Sequence, residues 1–203
     1  IIESADFLVI ESTYGNRLHD YSMDRAEQLL QVINETMAKG GNLIIPAFAV
    51  ERTQDLIYDL IMLGYEKKLD PNMQIYIDSP LAIAATEIFV KNRDSYEDTT
   101  RAFMTKGDPW QYINLNLTRT REESMQLNDS VSKSIIISAS GMCEAGRIKH
   151  HLKHNLWRPE STILFVGYQA AGSLGRRILE GEQIVTIHGE KVAVKADIRR
   201  IVA

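Results

Sequence analysis

Five apolar runs divide the chain, and each ends in a small or polar residue that hands over to a helical pattern. They are Phe7 to Ile10, Asn42 to Phe48, Gln74 to Asp78, Ser134 to Gly141 and Thr162 to Gly167. Continuous Ile, Leu and Val, rather than apolar and polar residues in alternation, mark strands buried on both faces. Helical spacing follows most of them. One helix reads from Ser22 as N-cap through Ala26, Leu30, Ile33 and Met37 to Gly40-Gly41, and a second carries Leu56, Ile57, Leu60, Ile61 and Leu63 to Gly64. A third starts at Ser79-Pro80, a capping side chain before proline at the first helical position. Two more are expected from about Glu144 to His154 and from about Ser173. The fold class is therefore α/β, a Rossmann-like, doubly wound, mainly parallel sheet of about five strands. Residues 91 to 130 break the rhythm with polar sequence around Trp110 and Tyr112 and read as an insertion or lid. At the end, Ile184 to His188 and Lys191 to Ile198 alternate around Gly189-Glu190, as a C-terminal antiparallel hairpin would.

In such a sheet the strand tips at Glu11, Phe48, Asp78, Ser140 and Gly167 share one edge, and ligands bind in the crevice outside it. Two loops there have the composition of an anion site. Ser140-Gly141-Met142 and Ala171-Gly172-Ser173-Leu174-Gly175-Arg176 place small residues between a buried strand and a helix start, where free N–H groups attract phosphate. Arg147 and Arg176 follow them. Taken singly, each loop also fits an ordinary tight turn between strand and helix. Arg52 stands at a helix N-terminus against the macrodipole, so it is a candidate for the same cleft. Ser79 belongs to the cleft by position but has the stronger claim of capping its helix.

Glu11 and His19 form a candidate acid-base pair, because a carboxylate can orient an imidazole and tune its pKa. His150, His151 and His154 invite a metal reading, yet Lys149 and Lys153 surround them and a solvated helix face is expected. No metal ligands are assigned. The chain has no GxSxG elbow, no CxxC pair and neither full phosphate fingerprint.

With 203 residues, one domain is expected. Its 23 basic and 27 acidic side chains nearly balance, so nucleic-acid binding would need a local cluster of charge. The single cysteine, Cys143, excludes an internal disulfide framework and fits a reducing, cytoplasmic location. No stretch reaches the roughly 18 apolar residues of a membrane span. The chain starts without Met within a few residues of a strand pattern, which points to a piece of a larger protein.

Taken together, Glu11-Ser12-Thr13-Tyr14-Gly15-Asn16-Arg17-Leu18-His19, Ile45 to Gln54, Asp78 to Ala82, Ser138 to Met142 and Gly167 to Arg176 resemble the β-CASP region of metallo-β-lactamase-fold nucleases. That family includes the mRNA 3′-end cleavage endonuclease and ribonuclease J-like enzymes. The resemblance covers nearly the whole chain and implies an RNA-processing hydrolase in which RNA enters between the β-CASP domain and a metallo-β-lactamase domain. It implies two zinc ions in the latter, activating a water for attack on the phosphodiester. Glu11 matches motif A, whose carboxylate partners a motif B histidine, and glutamate there favours RNA over DNA. Ser140, Gly141, Met142 and the Gly172 to Arg176 loop match elements that line the RNA path, and Arg52 lies in a motif near it. The His-x-His-x-Asp-His zinc run and the Phe-Ser-Ala-His motif are absent from this sequence. By this resemblance the chain alone binds no catalytic zinc and cleaves nothing, its partners being single-stranded RNA and its own metallo-β-lactamase domain, with no membrane. A homodimer is compatible with the sequence. So is a non-catalytic nucleotide- or RNA-binding α/β module, which the residues alone leave open.

Overall fold

The computed structural model describes residues 4–15, 24–104, 107–130 and 132–201. In chain order its main elements are α1 (Arg25–Lys39), β1 (Leu43–Pro46), α2 (Arg52–Tyr65), β2 (Gln74–Ile77), α3 (Pro80–Lys91), α4 (Asp98–Met104), β3 (Asn114–Leu117), α5 (Arg121–Ser130), β4 (Ser134–Ser138), α6 (Ile148–Asn155), β5 (Thr162–Phe165), α7 (Leu174–Leu179), β6 (Ile184–Ile187), β7 (Glu190–Ala193) and β8 (Asp197–Arg200).

Because successive strand residues point to opposite faces, the buried runs supply two cores at once. Leu43, Ile45, Ile75, Ile77, Ile135 and Ile137 face one layer, where Leu29 and Ile33 of α1, Leu56 and Leu60 of α2 and Ile83 of α3 pack on them. Ile44, Ile136, Ile163 and Phe165 face the other, under Leu127 of α5, Ile148 and Leu152 of α6, Leu174 and Ile178 of α7 and Val185 of the hairpin. Six strands run in the order β3-β2-β4-β1-β5-β8 with every neighbouring pair parallel, and β6 and β7 form a separate antiparallel pair. The α/β, doubly wound reading and the hairpin both hold.

Several expected elements change. Phe7 to Ile10 form no strand; Phe7 is 92% and Val9 97% exposed, so apolar character alone did not bury them. The sheet takes its two outermost strands from elsewhere. Within the polar segment, Asn114-Leu115-Asn116-Leu117 pairs along its whole length with β2, so residues 114–117 extend the sheet, and 121–130 form the helix α5. Asparagine is poor in strands, but an edge position leaves one side open to water, and Asn116 Nδ2 donates to Gln74 Oε1 at 3.2 Å across the pair. The expected second hairpin strand divides: 190–193 pairs with β6, while 197–200 pairs with β5. Ser22 lies outside the described residues, and Asp24 caps α1 by accepting the Ala26 N–H at 3.0 Å. Helix α6 begins later than its periodicity suggests, because residues 141 to 147 form a turn closed by Ser140 N–H to Ala145 O at 3.0 Å and Ile148 N–H to Ala139 O at 3.2 Å.

The contrast between the fully buried Ile136 and the exposed Val9 is testable. Ile136→Ala is expected to cost about 3 kcal/mol in urea unfolding, by lost transfer energy and a residual cavity. Val9→Ala is expected to change this chain's stability by less than about 0.5 kcal/mol, and a larger loss would place that run in the core.

Candidate functional site

From β1 the chain crosses to one side of the sheet to form β2, and from β4 it crosses to the other to form β5. Since β1 and β4 are neighbours, the topological switch point, where open α/β sheets bind ligands, lies between their carboxyl ends. The loop after β4 reaches it as the sequence requires: Gly141 abuts the Phe48 ring of the loop after β1.

The loop after β5 is locked to the loop after β4. Gln169 Nε2 donates to Gly141 O at 2.7 Å, Gly175 N–H donates to Met142 O at 3.2 Å, and Leu174 N–H donates to the Glu144 carboxylate. Gln169 is buried, and a Cβ on residue 175 would lie 1.9 Å from its Oε1, so only glycine fits there. Tyr14 meets Tyr168 edge-on with ring centroids 6.2 Å apart, which brings the 4–15 segment against the same loop. The N–H groups of Gly141, Met142 and Gly172 find no acceptor among the described residues. Donors left open in a crevice are what an anion requires.

Behind this crevice is a buried polar network centred on Asp78, at the tip of β2. Its Oδ1 accepts from Arg147 Nη1 at 2.7 Å, and its Oδ2 accepts from His151 Nε2 at 2.6 Å and Ser124 Oγ at 2.5 Å. Arg147 also donates to Thr118 O and Arg119 O at 3.0 Å each, tying the end of β3 to the start of α6. His151 Nδ1 lies 3.0 Å from the Asn128 side-chain amide on α5. The Asp78 side chain is fully buried, which by itself raises a carboxyl pKa. Hydrogen bonds from His151, Ser124 and Arg147, with the charge of His151, outweigh burial and hold it below its ordinary value of 3.8.

The expected site residues separate accordingly. Ser140, Gly141, Met142, Gly172 and Ser173 do line neighbouring loops. Ser173 caps α7, accepting the Arg176 N–H at 3.2 Å, and Arg176 pairs with Glu180 at 2.6 Å on the surface. Ser79 caps α3 by accepting the Ala82 N–H at 3.2 Å. Arg52 opens α2, with its guanidinium 3.4 Å from Asp55. Arg147, expected to face an anion, is turned inward to Asp78 because a buried carboxylate needs a cation. Glu11 is exposed on a non-strand segment; its side chain accepts the Thr13 N–H at 2.5 Å, and hydrogen bonding to Thr13 holds its pKa below the ordinary value. His19 lies outside the described residues.

His151, Gln169, Ser124 and Asn128 are participants that the sequence reading does not assign to the site. His151 was grouped with a solvated face, yet it is fully buried; its place one turn before Asn155 and beside Leu152 on the inward stripe was the available signal. Gln169 gave no sequence signal, since its strut depends on a loop far away in the chain.

Asp78→Ala is expected to cost about 3 kcal/mol at pH 7, because it strands a partly buried cation. Since the folded carboxyl titrates below 3.8, the network contributes fully above that value and is lost as pH falls through the lower folded one. Urea unfolding should show the gap between variant and parent closing toward pH 2; a pH-independent gap would contradict the assignment.

Comparison with known proteins agrees with this architecture. The Beta-Casp domain family model matches residues 53–178. Ribonuclease TTHA0252 of Thermus thermophilus is 33% identical over 97% of this chain and 45% of its own length. Transcription termination factor FttA of Thermococcus kodakarensis is 32% identical over 90% of the chain and 28% of that protein, and endoribonuclease ysh1 of Schizosaccharomyces pombe 30% over 92% and 24%. The chain thus spans less than half the length of these relatives. With its doubly wound sheet, its interlocked switch-point loops and a family match over more than half of its length, the chain belongs to the Beta-Casp domain family.

Proposed function

We propose that this chain is the RNA-clamping portion of a zinc-dependent metallo-β-lactamase-fold ribonuclease that hydrolyses RNA phosphodiester bonds. The observation that carries the reading is the crevice at the switch point, where the N–H groups of Gly141, Met142 and Gly172 stand open on two loops bonded to each other. Backbone donors grip phosphates without reading bases, as a nuclease that must slide or reposition RNA requires. The printed names of the Thermus and fission-yeast relatives, a ribonuclease and an endoribonuclease, support the substrate class.

The described residues contain no group of three His, Cys, Asp or Glu side chains that could hold a metal. They do not fit a zinc centre. In this proposal the two zinc ions belong to a metallo-β-lactamase domain, which is also the partner across the crevice. Glu11, exposed and kept ionised by Thr13, is the carboxylate this chain offers to that shared site, where it would orient an acid histidine of the partner domain. His19 is the second candidate for the same wall.

Two outcomes are expected. The 203-residue chain should bind single-stranded RNA and release no cleavage products with added zinc; zinc-dependent cleavage by it would overturn the division of labour. Arg176→Ala in the full-length enzyme should weaken RNA binding about 3-fold to 10-fold and lower the salt slope by about one. Unchanged affinity across the salt titration would remove Arg176 from the RNA path.

A further inference from the structure

Away from the switch point, α5, α6 and the tip of the β6–β7 hairpin enclose a pocket of about 620 Å³ whose polar lining is mostly cationic or protonatable: Arg121, Arg147, His150, His154 and His188. Three separate elements converge to make it. His188 and Gly189 form the two-residue hairpin turn with φ of 51° and 80°, the left-handed pair that such a turn needs. This turn sets the His188 ring against His150, with centroids 4.6 Å apart and planes 28° from parallel. An ion pair between Lys153 of α6 and Glu190 of the hairpin, 2.7 Å long, holds the tip down.

Among the described residues that line the pocket there is no carboxylate. Arg121, in the first turn of α5, has no ion-pair partner among the described residues, and its charge opposes the helix dipole. The nearby carboxylates are engaged elsewhere: Asp78 with Arg147 and His151, Glu190 with Lys153, and Glu123 with the N–H groups of Arg119 and Thr120. Glu122 neighbours Arg121 on α5 and Lys149 neighbours His150 on α6. Burial lowers the pKa of His150, and the charges of His188, His151, His154 and Arg121 lower it further.

We propose that this pocket is a second phosphate site, which takes a backbone phosphate of RNA extending from the crevice along the outer face of α6 and binds it more tightly as pH falls. The site rests on the RNA-clamping reading above. Arg147 links the two places, since it lines the pocket and bonds Asp78 behind the crevice, and α6 leads from it to His150 and His154 in steps of about 5.4 Å per turn. Linkage sets the sign. An anion among cations favours the imidazolium forms of His150 and His188, so phosphate binding takes up protons and acidification strengthens it.

The test titrates the full 203-residue chain with dimethyl phosphate, a phosphodiester monoanion at both pH values, while following the histidine ring signals by NMR, at pH 5.5 and 7.5. His150 and His188 should shift saturably, with affinity about 10-fold higher at the lower pH and about 10-fold lower in Arg121→Ala. A single-stranded RNA 12-mer should bind more tightly at pH 5.5, and His188→Asn, whose side chain tolerates the left-handed turn, should reduce that dependence. Absence of saturable shifts, or an RNA pH dependence unchanged in His188→Asn, overturns the site. The two readings fail separately: phosphate shifts at these histidines with no effect of Arg176→Ala on RNA binding would discard the crevice and keep the pocket. Arg176-dependent RNA binding without the shifts would do the reverse.

Discussion

A carboxylate with no access to water, Asp78, is the constraint around which half of the molecule is arranged. It sits at the tip of β2, where the backbone continues the parallel ladder, its N–H donating to Ile137 O at 2.9 Å and its carbonyl accepting from Ser138 Oγ at 2.8 Å. An unpaired charge there would cost far more than any single packing contact contributes. The chain therefore supplies Arg147, His151 and Ser124 from two helices, and Arg147 in turn takes the carbonyls of residues 118 and 119. The edge strand β3, the helix α5 and the start of α6 are positioned by one charge. The loop after β4 is held between this network and Gln169, and so its donors face the crevice.

Much of the fold was legible because the burial of parallel strands writes itself as uninterrupted Ile, Leu and Val. Ile44-Ile45, Ile135-Ile136-Ile137 and Ile163-Leu164 were identified from composition alone, and each is buried as expected. Ser79 and Ser173 announced helix starts that the structure keeps. The failures lie where burial and sequence character part company. Phe7 to Ile10 is as apolar as any strand but pairs with no strand among the described residues, while Asn114 to Leu117 has a neighbour in β2 and little apolar character.

The site was legible in its backbone and illegible in its side chains. Small residues between strand and helix located the two loops, since that composition follows from local geometry. Whether a charged side chain faces a ligand or a neighbour depends on contacts dozens of residues away. Arg147 was expected outward and is paired inward with Asp78, and Arg176 shares its charge with Glu180. Glu144 carries the same lesson from the other side: a carboxylate already occupies the Leu174 N–H at the start of α7, one of the places where an anion was expected.

The bonds joining Gln169 to Gly141 and Gly175 to Met142 make two loops, each flexible in isolation, into a single stiff body. Such a body cannot remodel itself around individual bases. In the proposed RNA-clamping role it would act as a fixed gauge, favouring any strand whose phosphate spacing matches and penalising one that must bend, so selectivity at this surface would concern the shape of the polymer instead of its letters.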